Sequence, residues 1–137
     1  MMKGKAVWFL FFFSLAIVPS MCTVIPFLKH YVRIVNSLNN EQLDYHCHSK
    51  DDDLGHRTLP PNGEWEFKFH VTFKTKFECK AWHSNFKYYA NFTAYEMTDH
   101  FDDLCGGRHC IYKFLEDGIY VHNVKSGDEL RQVTWTR

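Results

Sequence analysis

The sequence predicts an all-β fold, a small antiparallel β-sandwich of about eight strands stabilised by disulfides. Apolar and polar residues alternate with period two through most of the chain, and successive strand side chains point to opposite faces. Turn-forming residues punctuate the alternating stretches at short intervals, the spacing of sandwiches and barrels. Four cysteines lie among these stretches, downstream of an export-like leader, and an oxidising compartment pairs such thiols.

The leader is residues 1–22. Lys3 and Lys5 precede an almost unbroken apolar run over residues 6–18, and the small residues Ser20 and Cys22 follow. That is the layout of a secretory signal peptide. The run falls short of the roughly 18–20 apolar residues of a spanning helix, and no later segment is apolar enough to span, so no membrane insertion is expected. Cleavage after Cys22 removes one of the five cysteines and leaves Cys47, Cys79, Cys105 and Cys110, an even set for two disulfides. Cleavage after Ser20 would keep Cys22 as an odd thiol. Residues 23–137 then form a single domain, without internal repeat, low-complexity tract or linker. The leader holds two lysines and no acid while the whole chain is formally neutral. The mature part is therefore slightly acidic, which excludes an ordinary nucleic-acid binder. All nine histidines lie beyond the leader, so a mildly acidic fluid would make the surface more positive.

Residues 32–35 are the first expected strand, and residues 37–40 a polar turn. Leu43, Tyr45 and Cys47 then face one way, with Asp44, His46 and His48 facing the other. The clearest alternation covers residues 64–74, with Trp65, Phe67, Phe69, Val71 and Phe73 on one side. A helix would scatter these five around its circumference. Phe77, Cys79 and Ala81 continue the theme, followed by Tyr88, Ala90, Phe92 and Ala94. Cys105 is expected in a turn over residues 102–108, where Gly106-Gly107 free the backbone. Cys110, Tyr112 and Phe114 form an inward set, Asp117-Gly118 signals a hairpin, and strands over 119–124 and 130–135 complete the series. Four cysteines allow three pairings, and sequence does not choose among them. The preferred one joins Cys47 to Cys110 and Cys79 to Cys105.

Clusters that suggest chemistry have simpler explanations. His46-Cys47-His48 followed by Asp51-Asp52-Asp53 lacks the ligand spacing of zinc sites and the order of a calcium loop. A strand exit, with Gly55 in a turn, accounts for it, and neither metal nor cofactor is expected. No nucleophile elbow, zinc-protease motif or phosphate-binding loop occurs, so no catalysis and no small-molecule substrate are expected. Asn91-Phe92-Thr93 is the one glycosylation sequon, with Asn91 facing away from Tyr88, Ala90 and Phe92.

Val32-Arg33-Ile34-Val35-Asn36 and His46-Cys47-His48-Ser49-Lys50-Asp51-Asp52-Asp53-Leu54-Gly55 resemble the plant self-incompatibility S-protein homologues. Gly63 with the strand from Trp65, Phe77-Glu78-Cys79, Cys105 to Cys110, and Glu116-Asp117-Gly118-Ile119-Tyr120 follow in that family's order. Glu78 stands where an aromatic usually precedes the second cysteine, and Thr93-Ala94-Tyr95-Glu96 only approximates a Phe-Asp-x-Tyr-Asp segment. The resemblance implies a small secreted β-sandwich without catalytic activity. It implies a ligand in cell–cell recognition or signalling, read by a plant cell-surface membrane protein, with pollen–stigma self-incompatibility as one instance. Residues 49–62 and 97–108 are the longest polar connections, so Asp51, Asp52, Asp53, Asp102 and Asp103 are candidates for the recognition surface. They serve equally well as solvated loops. Two rival classes are a cell-wall carbohydrate-binding module, suggested by outward-facing Tyr89 and Tyr95, and a secreted enzyme with a site assembled from separate strands, which alanine changes at His46 and His48 would test.

Overall fold

A computed structural model describes residues 29–137; the signal-peptide reading of residues 1–22 lies outside the described residues. Nine strands and one short helix follow in the order β1 (Lys29–Asn36), β2 (Leu43–His48), β3 (Asp53–Leu59), β4 (Glu64–His70), β5 (Lys76–His83), β6 (Tyr88–Glu96), α1 (Asp99–Cys105), β7 (His109–Leu115), β8 (Gly118–His122) and β9 (Glu129–Val133). They build two sheets, ordered β4-β1-β7-β8-β9 and β3-β2-β5-β6. The disulfide-stabilised β-sandwich expected from the alternation is the observed architecture.

The alternating apolar residues meet between the sheets. Val32, Ile34, Tyr112, Phe114, Ile119 and Val121 of the larger sheet are fully buried, as are Leu43, Tyr45 and Ala81 of the smaller. Each large apolar side chain so buried contributes about 1.5–3 kcal/mol relative to exposure. Phe67 and Phe69 of β4 reach across to the smaller sheet, with Phe77 at 5.0 and 4.8 Å and Tyr95 at 5.1 Å from Phe69. At the open side between the edge strands, the Arg57 guanidinium covers Trp65 at 4.5 Å. Burial raises the Tyr45 phenol to about 12, against the opposing effect of Arg57. Tyr112 satisfies its buried hydroxyl by donating to the Ala94 carbonyl at 2.8 Å.

Several expectations need correction. The sheet is not wholly antiparallel, because β1 and β7 pair in parallel from Tyr31↔His109 to Asn36↔Phe114. The disulfides join Cys47 to Cys79 and Cys105 to Cys110, not Cys47 to Cys110 and Cys79 to Cys105. Cys47 and Cys79 are direct cross-strand partners in one sheet, with Cα atoms 4.1 Å apart. Cys110 lies in the other sheet and meets Cys105 across the short loop that leaves α1. The expected strand over 64–74 stops at His70, because Thr72 and Thr75 close a turn by mutual hydrogen bonds. That turn leaves Phe73 93% exposed.

Tyr95 is buried rather than outward-facing. Phe77 pairs with Tyr95 while Glu78 pairs with Thr93, so β6 has an extra residue there, and Ala94 and Tyr95 both turn inward. The segment 49–62 contains β3, an edge strand with mostly exposed side chains. The turn expected around Cys105 is instead the end of α1. Thr98 Oγ1 accepts from the Phe101 amide, Phe101 and Cys105 are buried at i, i+4, and Gly106 caps the helix at φ 76°. A Cβ at Gly106 would stand 2.2 Å from Asn123 Oδ1.

Candidate recognition surface

Strand register sorts the connections to two ends. Lys29↔His70 and Tyr31↔His109 bring together the start of β1, the end of β4 and the start of β7. His48↔Asp53, His48↔Glu78 and Lys76↔Glu96 do the same for the smaller sheet. The two sheets share this upper end. Residues 49–52 line one surface depression with Lys68, His70 and Thr72, and the Met97 amide donates to the Thr75 carbonyl. Asp51, Asp52, Asp53, Asp102 and Asp103, from segments far apart in sequence, therefore stand at the same end.

Each acidic segment is held by its own bonds. The Ser49 amide donates to the Asp52 carbonyl at 2.7 Å, and the Asp52 amide to Ser49 Oγ at 3.0 Å. Asp53 Oδ1 accepts from the Gly55 amide at 2.9 Å and from His46 Nε2. The Gly55 bond first, then His46, holds the Asp53 carboxyl below its usual range. Asp51 and Asp52 are exposed, as are Asp102 and Asp103. Asn123 Nδ2 donates to the Asp103 and Leu104 carbonyls, closing the free end of α1 where backbone acceptors lack helical partners. Both disulfides lie at this end: Cys47 is one residue from the end of β2, and Cys105–Cys110 ties α1 to the start of β7.

The lower end gathers the β1–β2, β5–β6 and β7–β8 connections around a cavity of about 480 Å³, lined by Glu41, His83, Ser84, Tyr88, Glu116 and Trp135 among others. Sequence reading missed this group, whose members come from four separate segments of the chain, around residues 41, 83–88, 116 and 135. Ser84 Oγ donates to Glu41 Oε1 at 2.9 Å, while His83 Nδ1 lies 3.2 Å from Glu41 Oε2 and 3.0 Å from Ser84 Oγ. Serine, histidine and carboxylate are thus together but not in relay order. A relay places serine and carboxylate on opposite imidazole nitrogens. Here both face Nδ1, and Nε2 is buried without a hydrogen-bond partner. The arrangement ties the β5–β6 turn to Glu41 of the β1–β2 connection. Ser84, Asn85 and Phe86 all adopt left-handed φ, at 55°, 56° and 64°, a sparsely populated conformation that surrounding bonds must hold.

Among the described residues, no group of three or more His, Cys, Asp or Glu converges as a metal site. The His46 and His48 rings stand 6.3 Å apart at their centroids, and His46 is engaged with Asp53. No described helix is long and apolar enough to cross a membrane. Asn91 is exposed on β6 and opposite Lys80 of β5.

Residues 31–135 match the family model described as plant self-incompatibility protein S1. The chain belongs to this family. Among S1-family relatives, S-protein homolog 11 of Arabidopsis thaliana is 42% identical over 106 residues, 71% of each chain. Self-incompatibility protein S1 of Papaver rhoeas is 32% identical over 93 residues, 65% of each. A solved structure of SPH (self-incompatibility protein homologue) proteins, described as a widespread family of small, highly stable, secreted proteins from plants, matches with a TM-score of 0.66. It covers 83% of this chain and all of that one at 22% identity, which shows a shared fold.

Proposed function

We propose that this S1-family chain is a secreted, non-catalytic ligand of a plant cell-surface membrane protein, acting in cell–cell recognition or signalling. Residues 1–22 leave as the signal peptide, residues 23–137 form the mature domain, and Asn91 carries a glycan. The observation that carries the reading is the convergence of residues 49–53 and 97–105 at one end, with both disulfides beneath them. Loops held before contact lose little freedom on binding, which favours recognition. Histidine does not stand between serine and carboxylate in the Glu41, His83 and Ser84 group, which supports a non-catalytic reading. A wall-polysaccharide module loses one of its two motivating rings, because Tyr95 is buried.

The test is cross-linking of the purified protein to intact plant cells, followed by identification of the captured membrane protein. Asp51→Lys, Asp52→Lys and Asp103→Lys together should weaken capture by about tenfold or more, as charge reversal at a contact surface does, with circular dichroism unchanged. Undiminished capture by this folded variant would remove the upper end from the proposal.

A further inference from the structure

On the outer face of the four-stranded sheet, register fixes a square of side chains. Lys80 lies opposite Asn91, and Trp82 lies opposite Tyr89. The Lys80 ammonium stands over both rings, 5.5 Å from the Trp82 centroid and 5.3 Å from that of Tyr89. Phe86 and His56 extend the aromatic surface, each 5.6 Å from Trp82. The rings are open to solvent, with Phe86 54% and Tyr89 36% exposed. Tyr89 is pinned at its backbone by two 2.8 Å hydrogen bonds with Thr136. Beside the square, Asn91 borders a shallow hollow of about 290 Å³ shared with His48, Glu78 and Thr93, so space adjoins its amide.

An aromatic face gains from apolar cover, while an ammonium needs oxygen acceptors. A pyranose ring offers both, in its C–H face and its hydroxyl rim. Tyr89 lies two residues before Asn91 on the same face, about 7 Å along the strand, within reach of the first sugar attached there. We propose that the two core N-acetylglucosamines of a glycan on Asn91 fold back along β6 over Tyr89. Lys80 donates to their hydroxyls, and Trp82 borders the second sugar. This rests on the glycosylation of Asn91 proposed above and gives that glycan a seat. It covers Tyr89 and leaves the upper end bare for a partner.

Protein secreted by plant cells would be compared with its Thr93→Ala form, which lacks the sequon but keeps Asn91, each with and without Tyr89→Ala. Intact mass reports occupancy, proton NMR reports ring-current shifts of the sugars, and heat denaturation reports stability. Expected are an occupied Asn91, upfield-shifted protons on the first two sugars, and a higher melting temperature than for Thr93→Ala. Tyr89→Ala should abolish the shifts and the stability difference without changing occupancy or circular dichroism. An unoccupied Asn91 overturns both the glycosylation and its seat. Full occupancy with sugar signals at free-glycan positions, unchanged by Tyr89→Ala, overturns the seat alone. Retention of Thr93→Ala protein on insoluble wall polysaccharide, lost with Tyr89→Ala, assigns the face to an external polymer and overturns the proposal.

Discussion

At the upper end of the sandwich, two disulfides do what buried hydrogen bonds do at the lower end. Cys47–Cys79 and Cys105–Cys110 hold the acidic turn and α1. Below, Asn36 is fully buried and its amide donates to the carbonyls of Glu41, Leu59 and Pro60, while its Oδ1 accepts from the Leu38 amide. One side chain thereby fastens the β1–β2 and β3–β4 connections together, and Glu41, His83 and Ser84 fasten the β5–β6 turn beside them. The difference teaches which end tolerates change. A covalent clamp asks nothing of the exposed side chains around it, such as Asp51, Asp52, Asp102 and Asp103, which are left free to vary. A hydrogen-bonded clamp specifies each donor and acceptor.

Breaking the clamps one at a time sharpens this contrast. Replacing Cys47 and Cys79 by alanine opens a sequence separation of 32 residues and should cost about 4 kcal/mol on the loop-entropy model, read from urea unfolding midpoints. Asn36→Ala should cost about 3 kcal/mol in the same assay, because it strands several buried backbone groups; a cost below that of a surface change would dismiss the lower clamp. Opening Cys105–Cys110, with a separation of five, should cost about 2 kcal/mol. Local hydrogen exchange should then speed in α1 and leave residues 36–42 protected.

Acid gives the smallest effect, and it should act above rather than below. The Asp53 carboxyl is lowered by Gly55 and then His46, and that of Glu129 by Lys113 and then His122. A lowered carboxyl contributes its stability in full above the ordinary carboxylate range and loses it as pH falls through the folded value. Unfolding midpoints should therefore drop modestly from about pH 4 downward, and Asp53→Asn should flatten part of that slope. An unchanged slope in Asp53→Asn would mean that its bonds to Gly55 and His46 do not persist in solution.

Legibility in the sequence followed the range of the interaction concerned. Alternation gave β5 and most of β6 with their inward faces, because side-chain facing is decided by immediate neighbours. It did not give the neighbour of β1, since period two marks a face and not a partner. The inward turn of Tyr95 was hidden by a single extra residue at a bulge. Strand β3 was hidden because an edge strand with two exposed faces need not alternate. The signals for α1 were present in Thr98, the Phe101–Cys105 spacing and Gly106, yet acidic residues and a glycine pair also fit a turn. Of the candidate surface, Asp51–Asp53 and Asp102–Asp103 were visible as polar connections, whereas their convergence depended on tertiary pairing. The lower clamp of Glu41, His83 and Ser84 left no local pattern at all.

The parallel register of β1 with β7 also sets a timetable for assembly. Tyr31 must find His109, and at about 5–20 residues per second the intervening chain takes roughly 4–16 s to emerge from a ribosome. Strand β4 emerges about midway through that interval; from then on β1 can lean on β4 but keeps an open flank until β7 arrives. The larger sheet closes only after nearly the whole polypeptide exists, so such distant pairing slows folding. A nascent chain halted before β7 would present that flank as a site for holding factors or for self-association.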